Sequence, residues 1–291
     1  MTTILRVLEG AVALFPHADL RFVAAALAVD VAILMVMAWR WRVLLAALGV
    51  RTELREMLLV NTAGNAVTNL TPARSVGGDA FRIAAIHARS GASRRVATAS
   101  VVYDRLADLS GLSVLLILAA PRLSWLMRPS IAVSLAAAVL ALAALVPFRR
   151  FLAAAWKRGH DKLVGVPLAR RSAATAMVRS MGVWMLDALR VMLVGAAFHA
   201  NITLPMAATL SLARLVSGAA PVPAGIGVVD GALVATLLWG GLSPEVAAAV
   251  TLLERSIVYG WATLLGLAAL TWLGGHQLLV RIRTAFRVPT T

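Results

Sequence analysis

The sequence predicts an all-α polytopic membrane protein, built as an inverted repeat with two re-entrant, Pro/Gly-broken helical hairpins. Composition is the first observation: the 291 residues are 60% hydrophobic and 14% charged, with a mean hydropathy of +0.85. A soluble domain cannot bury that much apolar surface. The second is that apolar runs close to the ~20 residues of a membrane span recur along the chain. The third is that proline and glycine interrupt two of these runs at positions about 150 residues apart.

The charge and the residue types missing from the chain limit its partners. The formal net charge is +15, from 28 Lys+Arg and 13 Asp+Glu. In a membrane protein, such basic residues mostly set orientation and attract anionic lipid head groups. We therefore expect membrane lipids, predominantly anionic, as partners and expect no nucleic acid. The chain has no cysteine, and its five histidines show no paired ligand spacing. We therefore expect no metal ion and no cofactor.

The amino-terminal segment is too short and too charged to cross a bilayer. Helical spacing is roughly kept by Ile4, Leu5, Leu8 and Val12, which indicates an interfacial amphipathic segment over residues 1–19. A single transmembrane domain is predicted over residues 20–275, with repeat one over about 20–120 and repeat two over about 177–274. A basic cytoplasmic tail over residues 276–291 follows.

Five full spans and two interrupted stretches make up the predicted domain. The loop over residues 148–171 holds seven basic residues and one acidic residue, so we expect it to be cytoplasmic and the amino terminus to lie outside. The expected location is the cell inner membrane, with multiple passes. The full spans are predicted over residues 20–48, 96–118, 130–147, 177–199 and 246–273, and the interrupted stretches fall within 56–95 and 204–241.

An amide row runs along the first interrupted stretch. Asn61, Asn65 and Asn69 are spaced every four residues and share one helical face. Such a row is costly in hydrocarbon unless it lines a polar cavity or contacts a partner helix.

Proline, glycine and charged residues recur in the same order in the two halves. Three full spans separate the interruptions, and an odd number of crossings inverts the second copy relative to the first. The matches at an offset of 150 or 151 are Arg40 with Arg190, Pro72 with Pro223, Asp79 with Asp230, Gly91 with Gly241, Ser93 with Ser243, and Asp104-Arg105 with Glu254-Arg255.

The interruptions are predicted to be elbows of re-entrant hairpins. Proline breaks the preceding helical turn, and glycine permits unusual backbone geometry. Backbone polar groups freed in this way are tolerated at membrane depth only where they line protein or water, so a broken helix implies a cavity. The helix starts that follow would present N–H groups to an anionic head group. The elbow residues are Pro72, Gly77, Gly78 and Asp79 in the first half and Pro221, Pro223, Gly225, Gly227 and Asp230 in the second.

Charged residues within the apolar runs form the candidate site. Each should face the bundle interior and have a partner, and the pairs Arg105/Asp108 and Asp187/Arg190 are spaced for contact on one helix. Two interpretations stay open: structural ion pairs between helices, or arginine forks that bind a lipid phosphate. The expected charge partners are Asp30, Asp104, Asp108, Asp187, Arg190 and Glu254, and the expected head-group ligands are Arg74, Arg82, Arg105, Arg214 and Arg255.

Four segments carry a resemblance to a known family: "NLTPARSVGGDAFRI", "VVYDRLADLSG", "PVPAGIGVVDGAL" and "LLERSIVYG". They resemble the lysylphosphatidylglycerol synthase transmembrane region, the flippase-like half of the multiple peptide resistance factors, and the resemblance covers roughly residues 20–275. It implies lipid translocation between leaflets, or lipid handling coupled to a partner enzyme. The soluble aminoacyl-transferase domain of the bifunctional members is not seen, so we do not expect lysyl-lipid synthesis by that route. The matching positions are Pro72, Gly77, Gly78, Asp79, Arg82, Asp104, Arg105, Pro223, Gly225, Gly227, Asp230, Glu254 and Arg255.

The function expected from the sequence is transport of a phospholipid or polyprenyl-phosphate-type lipid between leaflets, without catalysis. One alternative is a non-catalytic membrane partner of a lipid- or glycolipid-modifying enzyme. Another is a membrane-embedded transferase that uses Asp79, Asp104 or Glu254 as a base. A lipid-modifying enzyme and a second copy of the chain stay open as partners.

Overall fold

A computed structural model describes residues 2–71, 74–123, 168–217 and 225–274, and these residues form helices joined by short turns, with no strand among them. The first half contains α1 (Thr2–Leu14), a 3-10 turn (Phe15–His17), α2 (Leu20–Ala47), α3 (Leu54–Leu70), α4 (Arg74–Ser90) and α5 (Arg94–Leu123). The second half contains α6 (Arg170–Ala197), α7 (Leu204–Ser217), α8 (Val228–Trp239), α9 (Pro244–Arg255), a π-helical segment (Ser256–Trp261) and α10 (Ala262–Trp272).

Long helices form where the sequence predicts full spans. Helices α2 and α6 each have 28 residues and are apolar enough to cross a membrane, and at about 1.5 Å per residue each is about 42 Å long. The predicted span over 96–118 lies inside α5. The predicted span over 246–273 forms as α9, the π-helical segment and α10 in succession. The predicted span over 130–147 and the basic tail over 276–291 lie outside the described residues.

The helix boundaries recur at an offset of 150 residues. Helix α2 covers positions 20 to 47 and α6 covers 170 to 197, α3 and α7 begin at 54 and 204, and α5 and α9 begin at 94 and 244. The turns before α5 and α9 also match. Ser93 and Ser243 accept hydrogen bonds from the backbone three residues later, and Gly91 and Gly241 have positive φ angles of 67° and 88°.

Helices α2 and α6 pack against each other in antiparallel directions. Arg40 of α2 contacts Ser180 of α6, and Asp30 of α2 contacts Arg190 of α6. A shift of 150 residues converts position 40 into 190 and position 30 into 180, so each contact is the counterpart of the other. The two halves therefore meet through equivalent surfaces of their longest helices.

Each half also contains an antiparallel helical hairpin. Gly78 of α4 lies against Thr68 of α3, where an added Cβ would come 1.9 Å from the threonine hydroxyl oxygen. Gly240, which caps α8, lies against Met206 of α7 in the same way. Small residues thus allow the two arms of each hairpin to approach closely.

The helix break predicted in the first half is present. Helix α3 ends at Leu70, Thr71 has extended backbone, and α4 begins at Arg74. In the second half, Gly225 and Gly227 precede α8 with positive φ angles of 67° and 81°, a geometry that glycine adopts without strain. The elbow residues Pro72, Pro221 and Pro223 lie outside the described residues.

Each hairpin packs on a helix of the other half. Helix α3 crosses α10, where Gly266 lies so close to Ala66 that an added Cβ would come within 2.4 Å of the alanine Cβ. In return, α7 packs on α5, where Leu115 and Ala208 belong to one buried cluster. The halves are therefore interlocked around α2 and α6.

The amino-terminal helix has the amphipathic pattern expected from its sequence. Helix α1 covers Thr2–Leu14 and buries Ala11 in the core of the second half, which includes residues of α9. Leu5, Leu8 and Val12 are exposed. An exposed apolar face of this kind is typical of a helix that lies in the membrane interface.

Candidate functional site

A network of ion pairs, the first charge cluster, joins α2, α4 and α5. Its members are Arg40, Asp79, Arg82, Asp104, Arg105 and Asp108. Arg40 lies at its centre and is fully buried. Its Nε donates to Asp104 at 2.7 Å, and its Nη1 donates to Asp108 and to the hydroxyl of Ser180.

Arg82 of α4 lies next to this central arginine. Its Nη1 is 3.7 Å from both Asp79 and Asp104, and its Nη2 donates to the amide oxygen of Asn65 at 3.1 Å. Gly64 on α3 makes room for it, because a Cβ there would come 3.0 Å from the Arg82 Cγ. Arg82 is therefore held from several sides and almost fully buried.

The outer part of the first charge cluster is a bidentate pair. Arg105 donates from Nε and Nη2 to the two oxygens of Asp79, at 3.0 and 2.6 Å. The Arg105 side chain is 43% exposed and that of Asp79 is 21% exposed. This arginine fork is the most accessible guanidinium group of the first charge cluster.

The second charge cluster joins α2, α6, α7, α8 and α9. Its members are Asp30, Asp187, Arg190, Arg214, Asp230, Glu254 and Arg255. Arg190 occupies the position equivalent to Arg40 and contacts three carboxylates: Asp30 at 2.8 Å, Asp187 at 2.7 Å and Glu254 at 3.0 Å. Its side chain is almost completely buried.

Arg214 of α7 supplies the second buried guanidinium of this cluster. It donates to both Asp187 and Glu254, and the hydroxyl of Ser211 donates to Asp187 at 2.6 Å. Arg214 is the positional counterpart of Gly64, the residue that makes room for Arg82. Each half therefore places a second arginine beside its central one, from α4 in the first half and from α7 in the second.

An outer pair is present in the second half as well. Arg255 donates to Asp230 at 2.7 Å, and its guanidinium lies over the ring of Tyr259 at 3.8 Å from the centroid. Asp230 also accepts a hydrogen bond from the backbone of Gly227 at 2.8 Å, which caps α8. The outer pair thus ties α9 to the predicted second elbow.

The acid-arginine dipeptides have the same geometry in both halves. Successive helical residues point about 100° apart because a turn takes about 3.6 residues. Asp104 and Glu254 therefore turn to the central arginines, whereas Arg105 and Arg255 turn to Asp79 and Asp230.

A polar chamber of about 160 Å³ lies between the two halves. Asp30 and Arg190 line it from α2 and α6, and Asn65, Thr68 and Asn69 line it from α3. It also touches the π-helical segment at Val258, whose carbonyl oxygen accepts a hydrogen bond from the Asn69 amide at 3.4 Å. The remaining lining is apolar, but a space of this size with several polar groups in its wall is large enough for water molecules.

The amide row predicted on α3 divides in two. Asn65 and Asn69 line the polar chamber, and Asn69 also donates to the Thr263 hydroxyl at 3.1 Å. Asn61 is buried in the protein instead. The row thus meets both a cavity and a partner helix.

Several sequence predictions about the charged residues can be compared with the contacts. The two pairs expected on single helices are confirmed, with Asp187 to Arg190 at 2.7 Å and Arg105 to Asp108 at 3.9 Å. Arg82, Arg105, Arg214 and Arg255 each contact a carboxylate, so their binding of a lipid phosphate stays a prediction. The side chain of Arg74, at the start of α4, lies outside the described part of the structure.

Sequence reasoning missed the central role of Arg40. It was not predicted to be a charge partner, although its repeat match with the expected charge partner Arg190 was a usable signal. Ser180 and Ser211, which complete the two clusters, gave no such signal, because single serines are common in helices that pack together.

Comparison with known proteins identifies the family. A model of the "Lysylphosphatidylglycerol synthase TM region" matches residues 5–266. A UPF0104 membrane protein from Methanothermobacter thermautotrophicus is 27% identical over 299 residues, covering 88% of this chain and 87% of the relative. Another UPF0104 membrane protein, from Pyrococcus horikoshii, is 24% identical over 298 residues, covering 89% of each chain. No solved structure matches. The chain is therefore a helical membrane protein that belongs to the lysylphosphatidylglycerol synthase transmembrane-region family.

Proposed function

We propose that this protein is a lipid transporter of the cell inner membrane, which moves a phospholipid or polyprenyl-phosphate-type lipid between leaflets. The observation that carries the proposal is the polar chamber bounded by both halves of the molecule. Asp30, which lines it, is the eleventh residue of the 28-residue helix α2, at about 15 Å along a helix of about 42 Å. A polar space at that depth is what a head group needs to cross hydrocarbon.

The proposed transporter is an inverted repeat with re-entrant hairpins. Helices α2 and α6 are equivalent in sequence position and run antiparallel, which supports inversion of the two halves. The α3–α4 and α7–α8 hairpins, interrupted at corresponding places, are the re-entrant elements. In such repeats, the substrate site lies at the repeat interface, and rocking of one half against the other alternates access to it.

The proposed head-group ligands are the outer arginines, which are not among the residues that line the polar chamber and would bind the head group outside it. Arg105 already presents its planar fork to the two oxygens of Asp79, and a phosphate offers the same bidentate acceptor geometry. A lipid phosphate would replace Asp79 on Arg105, and Arg255 would act in the same way with Asp230. Arg82 and Arg214, which are more deeply buried among carboxylates, hold the surrounding acids in place.

Movement of a fluorescent phospholipid in proteoliposomes tests the proposal. Arg105→Gln should slow transfer of an anionic lipid about tenfold or more, because a hydrogen bond to a charged group contributes about 1.5–3 kcal/mol. Arg255→Gln should have a smaller effect, because the Arg255 side chain is less exposed. Arg105→Lys should also have a smaller effect, because lysine keeps the charge but loses the fork. Arg89→Gln is the matched control, because it breaks an exposed pair with Glu56 on the same hairpin.

The contradicting outcomes separate the alternatives. Wild-type transfer no faster than in protein-free vesicles would refute lipid transport. Co-purification with a lipid-modifying enzyme, together with absent transfer, would favour the partner role. Turnover of radiolabelled lipid by the purified chain would favour a membrane-embedded transferase.

A further inference from the structure

Among the described residues, the second charge cluster carries one more negative charge than positive charges. Asp30, Asp187 and Glu254 share Arg190 and Arg214, and Asp230 pairs with Arg255. The first charge cluster has three of each. A net charge inside a low-dielectric bundle is costly. Uptake of one proton by this cluster would therefore remove its net charge.

Asp30 is the carboxylate least compensated by cations. Asp187 and Glu254 are each contacted by both Arg190 and Arg214. Among the described residues, Asp30 is contacted by one cation, Arg190, at 2.8 Å through Oδ1, and it shares that cation with Asp187 and Glu254. Its other oxygen, Oδ2, is buried without a hydrogen-bond partner among the described residues, and the residue is only 4% exposed.

The repeat supplies an internal reference for Asp30. Its positional counterpart is Ser180, which contacts Arg40 in the way that Asp30 contacts Arg190. A neutral hydroxyl therefore satisfies the central arginine at this position in the first half. The carboxylate in the second half is an additional acid that the scaffold does not require for packing.

The side chains around Asp30 limit which group in this region can gain or lose a proton. In the part of the chain that the structure describes, the charged groups facing it are Arg190 and Asp187 on α6 and Glu254 on α9. Helix α3 contributes Asn65, Thr68 and Asn69 to the same chamber, and none of these side chains titrates. An arginine stays protonated, so the titratable positions are the three acids, of which Asp30 lines the polar chamber.

We propose that Asp30 is a proton-binding site that couples proton movement to rearrangement of the two halves. Proton uptake from water by the Asp30 carboxylate makes the second charge cluster neutral, and release of the proton to water restores the net charge of minus one. Uptake also weakens the ionic contact between α2 and α6, the helices through which the halves meet. The coupling to lipid rests on the proposed function, whereas proton binding does not.

Infrared difference spectroscopy tests proton binding without any lipid substrate. Wild-type protein in detergent, labelled at its aspartate carboxyl carbons, should show a protonated carboxylic acid band that is lost as the pH is raised. The band should be absent in Asp30→Asn and retained in Asp19→Asn, a control at an aspartate whose hydrogen bond from the Arg21 backbone N–H is exposed. Absence of a pH-dependent aspartic acid band in the wild type overturns the proposal, as does a band that Asp30→Asn leaves intact.

Proteoliposomes with an imposed pH gradient test the coupling. A one-unit gradient should shift the lipid distribution between leaflets by up to about tenfold for one proton per lipid, and Asp30→Asn should abolish the shift. Lipid transfer that ignores the gradient overturns the coupling and leaves the proposed function standing. A gradient-dependent shift that persists in Asp30→Asn also overturns it. Absent transfer overturns the proposed function, while the infrared band still decides whether Asp30 binds a proton.

Discussion

The two charge clusters share one plan but differ in electrical balance. In both clusters, an arginine of a long helix contacts an acid on a neighbouring helix: Arg40 contacts Asp104, and Arg190 contacts Glu254. The residue that follows each acid in the sequence is a second arginine. The first charge cluster pairs three arginines with three acids, whereas the second pairs three with four. The two clusters therefore differ by one charge among the described residues, and the two halves are suited to unequal roles.

Accessibility differs between the clusters in the same way. The outer arginine of the first cluster, Arg105, is 43% exposed, whereas its counterpart Arg255 is 12% exposed and lies over Tyr259. The first cluster is thus electrically balanced and open at its edge, which suits ligand exchange at Arg105. The second is unbalanced and enclosed, which suits a change of charge inside the bundle.

Removal of the central arginine should have the largest effect on the stability of the fold. The loss of stability should be greater in the second cluster than in the first. Arg190→Leu leaves Asp30 without its cation contact and leaves Asp187 and Glu254 with Arg214 alone. We expect a loss of about 3–5 kcal/mol of stability, the usual consequence of an uncompensated buried charge. Arg40→Leu should cost less, because Asp104 keeps Arg82 and Asp108 keeps Arg105.

Thermal unfolding in detergent, followed through the fluorescence of the eight tryptophans, measures this difference. Arg190→Lys and Arg40→Lys are the controls that keep the charge and lose the fork. An equal fall in melting temperature for Arg190→Leu and Arg40→Leu would contradict the claimed difference in balance.

Ser180→Asp should give the first cluster one more negative charge than positive charges, as in the second cluster. The new carboxylate would lie beside Arg40 but also beside Asp108, which the Ser180 hydroxyl now contacts at 3.3 Å. We expect a loss of about 1–3 kcal/mol at neutral pH, comparable to an unsatisfied buried polar group. The loss should shrink as the pH falls, because protonation removes the added charge. Unfolding measured across pH checks this, and Ser180→Asn, which is similar in size and uncharged, should show no such pH dependence.

Much of the fold could be predicted from the sequence, because apolar runs and helix breakers act locally. The runs over 20–48 and 177–199 predict two long helices, and α2 and α6 form there within a few residues at most boundaries. The break near Pro72 follows from backbone chemistry, and α3 ends at Leu70. The π-helical segment after Arg255 was not predicted, since the apolar run over 246–273 gives no sign of one.

The site was less predictable, because its contacts depend on how distant segments pack. Spacing on one helix predicts the Asp187–Arg190 pair. The contact between Asp30 and Arg190 joins residues 160 positions apart, and no local rule pairs them. The offset of 150 residues was the useful long-range signal for the site, because it identifies Arg40 and Arg190 as equivalent positions. It does not predict the carboxylates that each arginine contacts. The asparagine spacing predicts that Asn65 and Asn69 face a polar environment. It does not predict which other residues line the chamber with them.

The turns that follow the two long helices each contain a residue with positive φ at the same repeat position, and exchanging that residue should have the smallest effect on stability. Gly49 after α2 has a φ of 82°, and its counterpart His199 after α6 has a φ of 55°. This left-handed geometry costs a residue with a Cβ about 1–2 kcal/mol, and the greater freedom of glycine in the unfolded chain offsets about 0.5–1 kcal/mol of that. We therefore expect His199→Gly to raise the melting temperature slightly and Gly49→His to lower it. No atom lies within 4 Å of a Cβ built at Gly49, so a loss there would reflect backbone strain rather than a clash. His199→Ala keeps the Cβ and removes the imidazole; a gain in Ala equal to that in Gly would place the cost in the ring and not in the backbone.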